Sequence, residues 1–462
     1  IYSLTLILSY VVLMWLAEIS ILRNKRRNLE SYARNLLHKS SFTPGVSIVA
    51  PAYNEETTIV ENVHSLLSQD YPLFEVIIVN DGSKDRTLER LIENFDLVEV
   101  PYAYVAQLKT KPYRRMFKST RPEFARLKVV DKVNGGTKAD AVNAGLNAAV
   151  FPYFINTDVD CILAKDAIFR CVLPLLKQEN IIAVSGAMAL SNGCKVEKGQ
   201  IVEAYPPHTP VPLFQTLEYM RSFLIGKMGW SAINAMPNVS GGYGLFNREV
   251  VMAAGGYSPD SFAEDMDMLI RMVAYCCETK RPYRVVQIPY TCCWTEGPAT
   301  LKVLSRQRVR WGRGLIQTFY KHRRLIGNPR YRQLGMVTLP YLLVFELAAP
   351  LIEFLGMLTL IFLGITGGVN WGYALVMFLA IYTFCILLSL FLISFDYAIG
   401  GSYKKVKSYL WIFIAALTEP FFYHPMVVFF SLRGYLNYLT GQKAVWGEMT
   451  RKGFSKKEST TK

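Results

Sequence analysis

Two carboxylates separated by one residue, Asp158 and Asp160, follow a short hydrophobic run that we predict to be a strand. In an extended chain both side chains project to the same side, because successive side chains alternate. Paired carboxylate oxygens suit Mg²⁺ or Mn²⁺ bound together with a diphosphate, since these ions take their other ligands from phosphate and water. The same spacing is also typical of a solvated turn, so its meaning depends on the surrounding motifs.

A second predicted strand, residues 74–80, delivers Asp81 at its carboxyl end. A carboxylate in this place accepts hydrogen bonds from the N–H or hydroxyl groups of a nucleoside. The residues that follow, Gly82-Ser83-Lys84-Asp85, are equally typical of a turn or a helix N-cap. Both interpretations of Asp81 stay open on this motif alone.

Lys138 opens a helical stretch directly after Gly135-Gly136-Thr137. A lysine at the start of a helix places a point positive charge and free backbone N–H groups where a phosphate binds. The segment lacks the GxxxxGK[ST] spacing, which disfavours a nucleotide triphosphatase. A glycine turn followed by an ordinary helix start is the alternative.

A glycine pair, Gly241-Gly242, precedes an acidic cluster that contains Glu264 and Asp265. Adjacent glycines let the backbone approach a ligand closely, and a carboxylate opposite them is a candidate general base for a hydroxyl group. An acidic first turn of a helix over residues 266–275, favoured by the helix dipole, explains the same cluster without any chemistry.

The basic segment Gln307-Arg308-Val309-Arg310-Trp311 lies ahead of a strongly apolar region. The guanidinium of Arg310 can bind a diphosphate through two hydrogen bonds, and the indole of Trp311 offers a flat apolar face to a pyranose ring. The rival interpretation is an interfacial amphipathic helix whose arginine and tryptophan side chains lie at lipid headgroups.

The first four motifs lie in residues 44–298, where short apolar runs alternate with helical stretches. This alternation is typical of an α/β domain with a mostly parallel sheet. Ligands of such sheets bind at the carboxyl ends of the strands, so we expect the acidic residues to share one crevice. The predicted strands are residues 46–50, 74–80, 127–130 and 153–156.

Hydrophobic runs flank this domain. Residues 1–22 carry one charged residue, Glu18, and are long enough to cross about 30 Å of hydrocarbon. Basic residues follow this run rather than precede it, so we predict an anchor with a cytoplasmic carboxyl end and not a cleaved signal peptide. We further predict an interfacial segment over 299–334, transmembrane or re-entrant helices over 335–440 and a polar basic tail over 441–462.

Prolines and charged residues interrupt the C-terminal apolar runs. Pro420 and Pro425 favour a re-entrant hairpin of two half-helices in the last run. Four polar residues in this region either line a polar path or pair between helices. They are Glu346, Glu353, Glu419 and His424.

The composition agrees with a chain that is partly embedded in lipid, since 51% of its 462 residues are hydrophobic and 19% are charged. The net charge of +15 is compatible with anionic lipids, nucleic acid or a phosphorylated substrate. Nucleic acid is disfavoured because the basic residues cluster beside the apolar runs. The eight cysteines have no CxxC spacing, so we expect reduced thiols. The adjacent pairs Cys276-Cys277 and Cys292-Cys293 would point to opposite faces of a strand, so we expect them to be structural and to hold no metal.

Together the motifs resemble the membrane-integrated family 2 glycosyltransferases, which include cellulose, chitin, hyaluronan and poly-N-acetylglucosamine synthases. The resemblance covers nearly the whole chain, because the anchor, the acidic motifs, Gln-x-x-Arg-Trp and the apolar runs follow the family's order. It implies a GT-A domain, an α/β fold with a Rossmann-like nucleotide-sugar-binding sheet, joined to transmembrane helices. The segment from Thr216 to Trp230 is similar to the poly-N-acetylglucosamine branch.

The resemblance also implies roles for individual residues, with two departures from the family pattern. Lys138 follows Gly-Gly-Thr instead of following the glycines directly, and Ala263 stands where a threonine is usual. The first departure bears on the role of Lys138, and the second leaves Asp265 in place. The implied roles are uridine binding by Tyr53, Glu55 and Asp81, nucleotide binding by Lys138, Asp158 and Arg310, Mg²⁺ or Mn²⁺ binding by Asp160 and Asp158, general base catalysis by Asp265 beside Glu264, and acceptor binding by Gln307, Trp311, Gly241 and Gly242.

The reaction implied by the resemblance is a single displacement in which a UDP-sugar elongates a polysaccharide with inversion to a β-linkage. The implied partners are a growing glycan or lipid-linked acceptor, membrane lipids and accessory secretion subunits. The implied location is the bacterial inner membrane, crossed several times, with the catalytic domain in the cytoplasm. Two alternatives stay open, namely transfer of a single sugar to a lipid carrier and a non-catalytic membrane scaffold.

Overall fold

The computed structural model of the chain describes residues 2–25, 30–102, 106–197, 199–403 and 405–442. Within these ranges the strands form one ten-stranded sheet and a separate two-stranded hairpin. The strands are β1 (Val46–Ala52), β2 (Phe74–Asn80), β3 (Leu97–Glu99), β4 (Tyr113–Ser119), β5 (Leu127–Lys132), β6 (Tyr153–Thr157), β7 (Ile162–Leu163), β8 (Ile181–Leu190), β9 (Lys195–Glu197), β10 (Gln200–Glu203), β11 (Tyr243–Asn247) and β12 (Arg284–Thr295).

Helices pack on the sheet and continue beyond it. Those of the described residues are α1 (Tyr2–Lys25), α2 (Glu30–Lys39), α3 (Ile59–Leu67), α4 (Thr87–Phe95), α5 (Lys138–Ala148), α6 (Ala167–Lys177), α7 (Pro210–Met220), α8 (Met228–Ala232), α9 (Arg248–Ala253), α10 (Glu264–Glu278), α11 (Leu301–His322), α12 (Leu339–Leu342), α13 (Ala349–Ile365), α14 (Trp371–Ala398) and α15 (Val406–Leu439). A π-helical segment, Arg221–Lys227, joins α7 to α8, and two more, Leu334–Thr338 and Leu343–Leu347, flank α12.

The four predicted strands form the parallel centre of the sheet. β1 lies between β2 and β6, and β2 also pairs with β5, all in parallel. β11 follows α7 and α8 in the chain, lies between β6 and β8, and is antiparallel to both. The order β3-β4-β5-β2-β1-β6-β11-β8-β12-β7 confirms the predicted α/β fold. The sheet is mixed, however, and the expectation of a mostly parallel one is corrected.

Alternate residues of the central strands pack into two different cores. Val49 and Val79 belong to the core that contains α5, whereas Ile48 and Ile78 belong to the core that contains α3 and α6. Because both faces are covered, these strands are apolar along their length. A Cβ on Gly145 of α5 would lie 2.4 Å from Val49 Cγ1. At this point α5 therefore packs directly against the central strands, with no room for a side chain on Gly145.

Within the described ranges, four helical stretches are long and apolar enough to cross a membrane. In the apolar 18-residue part of each stretch, only 6 to 28% is buried against the rest of the chain. Most of these side chains are therefore left for lipid to cover. These four stretches coincide with the apolar runs of the sequence. The exact domain bounds stay predictions. The predicted basic tail beyond residue 442 lies outside the described residues. The stretches are Tyr2–Leu22, Leu334–Ile365, Trp371–Ala398 and Val406–Leu439.

The last stretch, α15, is one continuous helix, so the predicted re-entrant hairpin is wrong. Pro420 and Pro425 both lie inside it. A proline removes one backbone donor and crowds the preceding turn, but packing against neighbouring helices offsets that loss in apolar helices. Here α7, α11, α13 and α14 all pack against α15. The two prolines therefore do not divide the helix.

α11 and α15 cross in backbone contact at a pair of glycines. A Cβ on Gly434 would lie 2.5 Å from Val309 O and 3.2 Å from Gly312 Cα. A Cβ on Gly312 would lie 2.8 Å from Ser431 O. Because the crossing has no room for a side chain, α15 fixes the position of α11, the helix that carries the Gln-x-x-Arg-Trp motif.

We expect Gly434→Ala to push α11 and α15 apart and to lower the free energy of unfolding by about 1–3 kcal/mol, the usual cost of overpacking. The matched control is Gly364→Ala in α13, where nothing lies within 4 Å of the added methyl group. The melting temperatures of the purified variants in detergent compare the two changes. Equal melting temperatures would contradict the close crossing.

Candidate active site

The carboxyl ends of β1 and β2 form one side of the site. The Asp81 N–H donates to Ala52 O at 2.9 Å, which holds the end of β2 against β1. Beyond the strands, Asn54 Oδ1 accepts from the Lys84 N–H at 2.9 Å. These contacts join the loop after β1 to the loop after β2, and Tyr53, in the first of them, is 43% exposed.

Glu55 acts within this pair of loops. Its carboxylate accepts from Thr58 Oγ1 at 3.0 Å, and its N–H donates to Thr87 Oγ1 at 2.8 Å. Glu55 thus stabilises the loop that carries Tyr53. Its predicted contact with a nucleoside stays a prediction.

Asp81 is buried, and a lysine that the sequence analysis missed balances its charge. Lys132 Nζ lies 2.6 Å from Asp81 Oδ1 and 2.6 Å from Asp140 Oδ2, and its side chain is fully buried. The Gly135 N–H donates to the same Asp81 oxygen at 2.9 Å. Lys132 ends β5 beside the carboxyl end of β2, which Asp81 follows, but the two residues are 51 positions apart and no local pattern indicates that they pair.

Lys138 links two motifs that are distant in the sequence. It forms an ion pair with Asp158, and its Nζ donates to Gly241 O at 2.6 Å. Burial lowers the pKa of Lys138, but the charges of Asp158 and Glu264 outweigh that effect and the net pKa is raised. The ammonium is therefore held in its charged form beside two carboxylates.

Asp265, in the first turn of α10, is oriented by three donors. Its Oδ2 accepts from the Gly241 N–H and from Asn238 Nδ2, both at 3.1 Å, and its Oδ1 accepts from the Met266 N–H at 2.8 Å. A fixed carboxylate of this kind is what general base catalysis requires. Asn238 was not predicted, because a single asparagine carries no motif.

The Gly241-Gly242 backbone brings the two acidic motifs together. Gly241 O faces Lys138, while the Gly241 N–H faces Asp265. A Cβ on Gly242 would lie 3.7 Å from Asp158 Oδ2. The carboxylates of both motifs therefore border the same glycine pair, as expected for a shared crevice.

Glu264 lies close to positive groups from two elements. Burial and repulsion by Asp265 raise the pKa of Glu264, and attraction by Lys138 and Arg310 opposes that rise without cancelling it. Glu264 therefore ionises at a higher pH than an exposed glutamate. The interaction also places Arg310 of α11 near the acidic cluster.

α11 is fastened to the segment around the acidic cluster. Gln317 Oε1 accepts from the Phe262 N–H at 2.9 Å. Near the end of α11, Lys321 Nζ and His322 Nε2 each lie 2.8 Å from Asp267 Oδ1. These contacts set the distance between α11 and α10, the helix that begins with Glu264 and Asp265.

Gln307 and Trp311 of α11 differ in accessibility. Gln307 is 9% exposed, and its Oε1 accepts from Gln215 Nε2 at 2.9 Å. It therefore holds α11 against α7. Trp311 is 38% exposed, so its indole is open to a ligand. Acceptor binding by either residue stays a prediction.

Comparison with known proteins identifies the family of this site. The family model described as "Glycosyltransferase like family 2" matches residues 44–314, more than half of the chain. The chain belongs to glycosyltransferase family 2. The predicted resemblance is confirmed, and the motifs at Asp81, Lys138, Asp158 and Asp265 all lie within the matched residues.

Curated relatives of this family 2 chain are named poly-beta-1,6-N-acetyl-D-glucosamine synthases. The protein from Staphylococcus epidermidis is 28% identical over 286 residues, which cover 61% of this chain and 58% of the relative. The protein from Staphylococcus aureus is 27% identical over 296 residues, which cover 62% and 59%. The chain thus spans less than two thirds of the length of these relatives.

The fold of the family 2 chain is GT-A, as predicted. A mannosyltransferase from Pyrobaculum calidifontis, solved with GDP-Man and Mn²⁺, superposes with a TM-score of 0.51 at 19% identity. The match covers 93% of this chain and all of that one. At this identity the likeness concerns the fold alone.

A GT-A fold implies a divalent cation, and the side chains beside Lys138 fit one. Asp158, Asp160 and Cys161 each offer a ligand atom, and these atoms lie within 4.8 Å of one another. The two carboxylates supply the hard oxygen donors that Mg²⁺ and Mn²⁺ take, whereas a thiol suits softer metals. Cys161 was expected to be a reduced thiol, and the structure places it next to the carboxylates.

We expect Lys132→Met to lower the free energy of unfolding by about 3–5 kcal/mol, because Asp81 and Asp140 then stay buried without their shared cation. The control is Lys118→Met on the neighbouring β4, where the lysine is exposed and the change should cost little. Denaturant unfolding of the purified variants measures both. If Lys132→Met lowered the free energy of unfolding no more than Lys118→Met, Lys132 would not stabilise the buried carboxylates of Asp81 and Asp140.

Proposed function

We propose that this family 2 protein is an inverting β-glycosyltransferase that uses a UDP-sugar to elongate a polysaccharide such as poly-N-acetylglucosamine. The observation that carries the proposal is the oriented carboxylate of Asp265, which shares Gly241 with the Lys138–Asp158 ion pair. A base and a site for the leaving diphosphate, held by one backbone segment, match the needs of a single displacement. In such a reaction the attacking oxygen and the leaving group stand on opposite faces of the anomeric carbon.

On the donor side, Tyr53 and Asp81 bind the nucleoside in this proposal. Asp81 is suited to the task because Lys132 and the Gly135 N–H fix its Oδ1 at the end of β2. Tyr53 offers an exposed ring on a loop that hydrogen bonds hold in place. Both residues recognise the nucleotide and take no part in bond making.

Lys138 and Arg310 stabilise the negative charge that develops on the departing diphosphate. Both lie close enough to Glu264 for their charges to oppose the rise of its pKa, so one cation from α5 and one from α11 lie near the same carboxylate. Asp158 and Asp160 would hold Mg²⁺ or Mn²⁺. When bound, the ion would neutralise further charge on the leaving group.

On the acceptor side, Asp265 takes the proton from the attacking hydroxyl. Its three hydrogen bonds leave the carboxylate little freedom to rotate, which keeps it aimed without reorganisation during the reaction. Trp311 would stack against the acceptor sugar through its exposed indole face. The loop of Gly241 and Gly242 lets the acceptor approach closely, since no side chain intervenes.

The sugar and the product are proposed from the relatives. Those relatives are named as poly-beta-1,6-N-acetyl-D-glucosamine synthases, which supports UDP-N-acetylglucosamine as the donor and a polymer as the product. The alternatives are a single transfer to a lipid-linked acceptor and a non-catalytic scaffold. The intact set of carboxylates at 81, 158, 160 and 265 disfavours the scaffold.

We place the protein in the bacterial inner membrane, with several spans and its catalytic domain in the cytoplasm. The four apolar helices support this placement. Among the polar residues of the spans, His424 Nε2 lies 2.7 Å from Glu353 Oε2, and Glu419 pairs with Arg221 at 2.6 Å. These residues pair between segments. A role for them in passage of the product, and accessory secretion subunits, belong to the proposal.

We expect vesicles reconstituted with the protein to convert external UDP-N-acetylglucosamine into a long polymer protected inside the vesicle. Electrophoretic sizing and digestion with a β-1,6-N-acetylglucosamine hydrolase measure length and linkage. A single-sugar product would support the lipid-linked alternative, and an external polymer would contradict passage across the membrane. No UDP release at all would support the scaffold.

We expect Asp265→Asn to lower transfer by at least roughly 100-fold, the usual contribution of a general base, with UDP-sugar binding retained. The control is Asp260→Asn, since Asp260 is exposed and contributes its backbone carbonyl to Gln317. Steady-state transfer and equilibrium binding of the UDP-sugar separate the two effects. Unchanged transfer in Asp265→Asn would exclude it as the base.

We expect EDTA to abolish transfer and Mg²⁺ or Mn²⁺ to restore it. Asp160→Asn should weaken Mn²⁺ binding by at least roughly tenfold, because one hard oxygen ligand is lost. Electron paramagnetic resonance of free Mn²⁺ measures this binding without relying on activity. Transfer that persists without metal would count against the role of Asp160.

A further inference from the structure

Arg308 lies inside the Gln-x-x-Arg-Trp motif but takes no part in the reaction proposed above. Its side chain is 4% exposed. Its two terminal nitrogens donate to the two carboxylate oxygens of Glu218, at 2.6 and 2.7 Å. This is the paired geometry that gives an arginine–carboxylate contact its directional strength. Arg308 therefore ties α11 to α7.

A tyrosine from the apolar helix α15 completes this contact. The Tyr423 hydroxyl donates to Glu218 Oε2 at 2.7 Å and accepts from Arg308 Nη2 at 3.0 Å. Tyr423 is 2% exposed, and its ring centroid lies 5.4 Å from that of Phe214 in α7. Three helices, α7, α11 and α15, thus meet at three polar side chains, which we call the Arg308 triad.

A second ion pair repeats the link between α7 and α15. Arg221, which directly follows α7, donates to both oxygens of Glu419 at 3.2 and 2.6 Å. Arg221 follows Glu218 by three residues, and Tyr423 follows Glu419 by four, so each pair shares one helix face. The segment Thr216 to Trp230, noted above only for its similarity to one branch of the family, therefore carries the residues that bind α15.

The triad continues to the exposed indole of the motif. The Arg308 guanidinium carbon lies 4.2 Å from the centroid of the Trp311 ring. Gln307, on the other side of Arg308, is held by Gln215, one turn before Glu218 on α7. The ring of Trp311 therefore rests on a cation whose own place is set by α7 and α15.

We propose that Glu218, Arg308 and Tyr423 are positioning residues that set Trp311, and with it the acceptor sugar, from the apolar helix α15. This inference rests on the proposed function, because it needs an acceptor to bind at Trp311. The hydrogen bonds of the triad join α7, α11 and α15 to one another. Their loss should weaken acceptor binding and spare donor chemistry.

The test compares Tyr423→Phe with Tyr435→Phe. Both tyrosines lie in α15, both are buried and both lose one hydroxyl. Among the described residues, the Tyr435 hydroxyl donates to the Glu346 backbone oxygen at 3.4 Å and to no group of α11. The variants are compared as full-length protein with UDP-N-acetylglucosamine and a soluble β-linked N-acetylglucosamine oligosaccharide as acceptor.

We expect Tyr423→Phe to raise the KM for the oligosaccharide roughly tenfold, equivalent to about 1.4 kcal/mol. The KM for UDP-N-acetylglucosamine and the rate of UDP release without acceptor should match those of Tyr435→Phe and the wild type. Arg308→Lys should share the defect, because a lysine keeps the charge but cannot bind Glu218 through two parallel hydrogen bonds.

Equal acceptor KM values for Tyr423→Phe and Tyr435→Phe would overturn the positioning role while leaving the proposed function intact. A parallel loss of donor-only UDP release would also overturn it, since that pattern indicates a general structural defect. If Tyr423→Phe does not fold, Arg308→Lys decides by the same criteria. If the wild type extends no oligosaccharide, the proposed function fails and the positioning role fails with it.

Discussion

The rest of the site depends on the hydrogen bonds of the Gly241 main chain. Its carbonyl accepts from Lys138 at 2.6 Å and from Asn156 at 3.0 Å, and its N–H donates to Asp265 at 3.1 Å. The N–H and the carbonyl of one residue belong to the two peptide units that flank its Cα, and both are main-chain hydrogen-bonding groups. Gly241 therefore joins a lysine from α5, a strand end and an acidic helix without a flexible side chain between them.

The position of Asp265 also depends on how α10, α11 and α15 pack against one another. Asp265 belongs to α10, and α10 is held to α11 through Asp267, whose Oδ1 lies 2.8 Å from both Lys321 and His322. α11 in turn meets α15 at Gly312 and Gly434 with no side chain between them. The distance between Asp265, the candidate base, and the Gln-x-x-Arg-Trp motif of α11 thus depends on the packing of α11 against α15.

The sequence predicted those parts of the molecule that depend on local pattern. The α/β alternation, the four central strands and the apolar helices follow from periodicity and length. The acidic motifs were recognisable because carboxylates follow strands. In contrast, Lys132, Asn238 and Glu218 were missed, because each acquires its role from a partner distant in the chain. The re-entrant hairpin was wrongly predicted from Pro420 and Pro425 for the same reason, because α15 is kept continuous by packing against helices distant in the chain.

Two buried cations, Lys132 and Arg308, hold different parts of the molecule in place. Lys132 pairs with two carboxylates, those of Asp81 and Asp140, at the carboxyl ends of the central strands and holds Asp81 in one position. Arg308, by contrast, is buried at a junction of three helices and supports a ring that remains exposed. Burying ions is costly unless every partner is in place, so both clusters form only when their helices and strands have docked. A chain with an incomplete apolar region would therefore lose the geometry around Trp311 before it lost the ion pairs of Lys132 at the ends of β2 and β5.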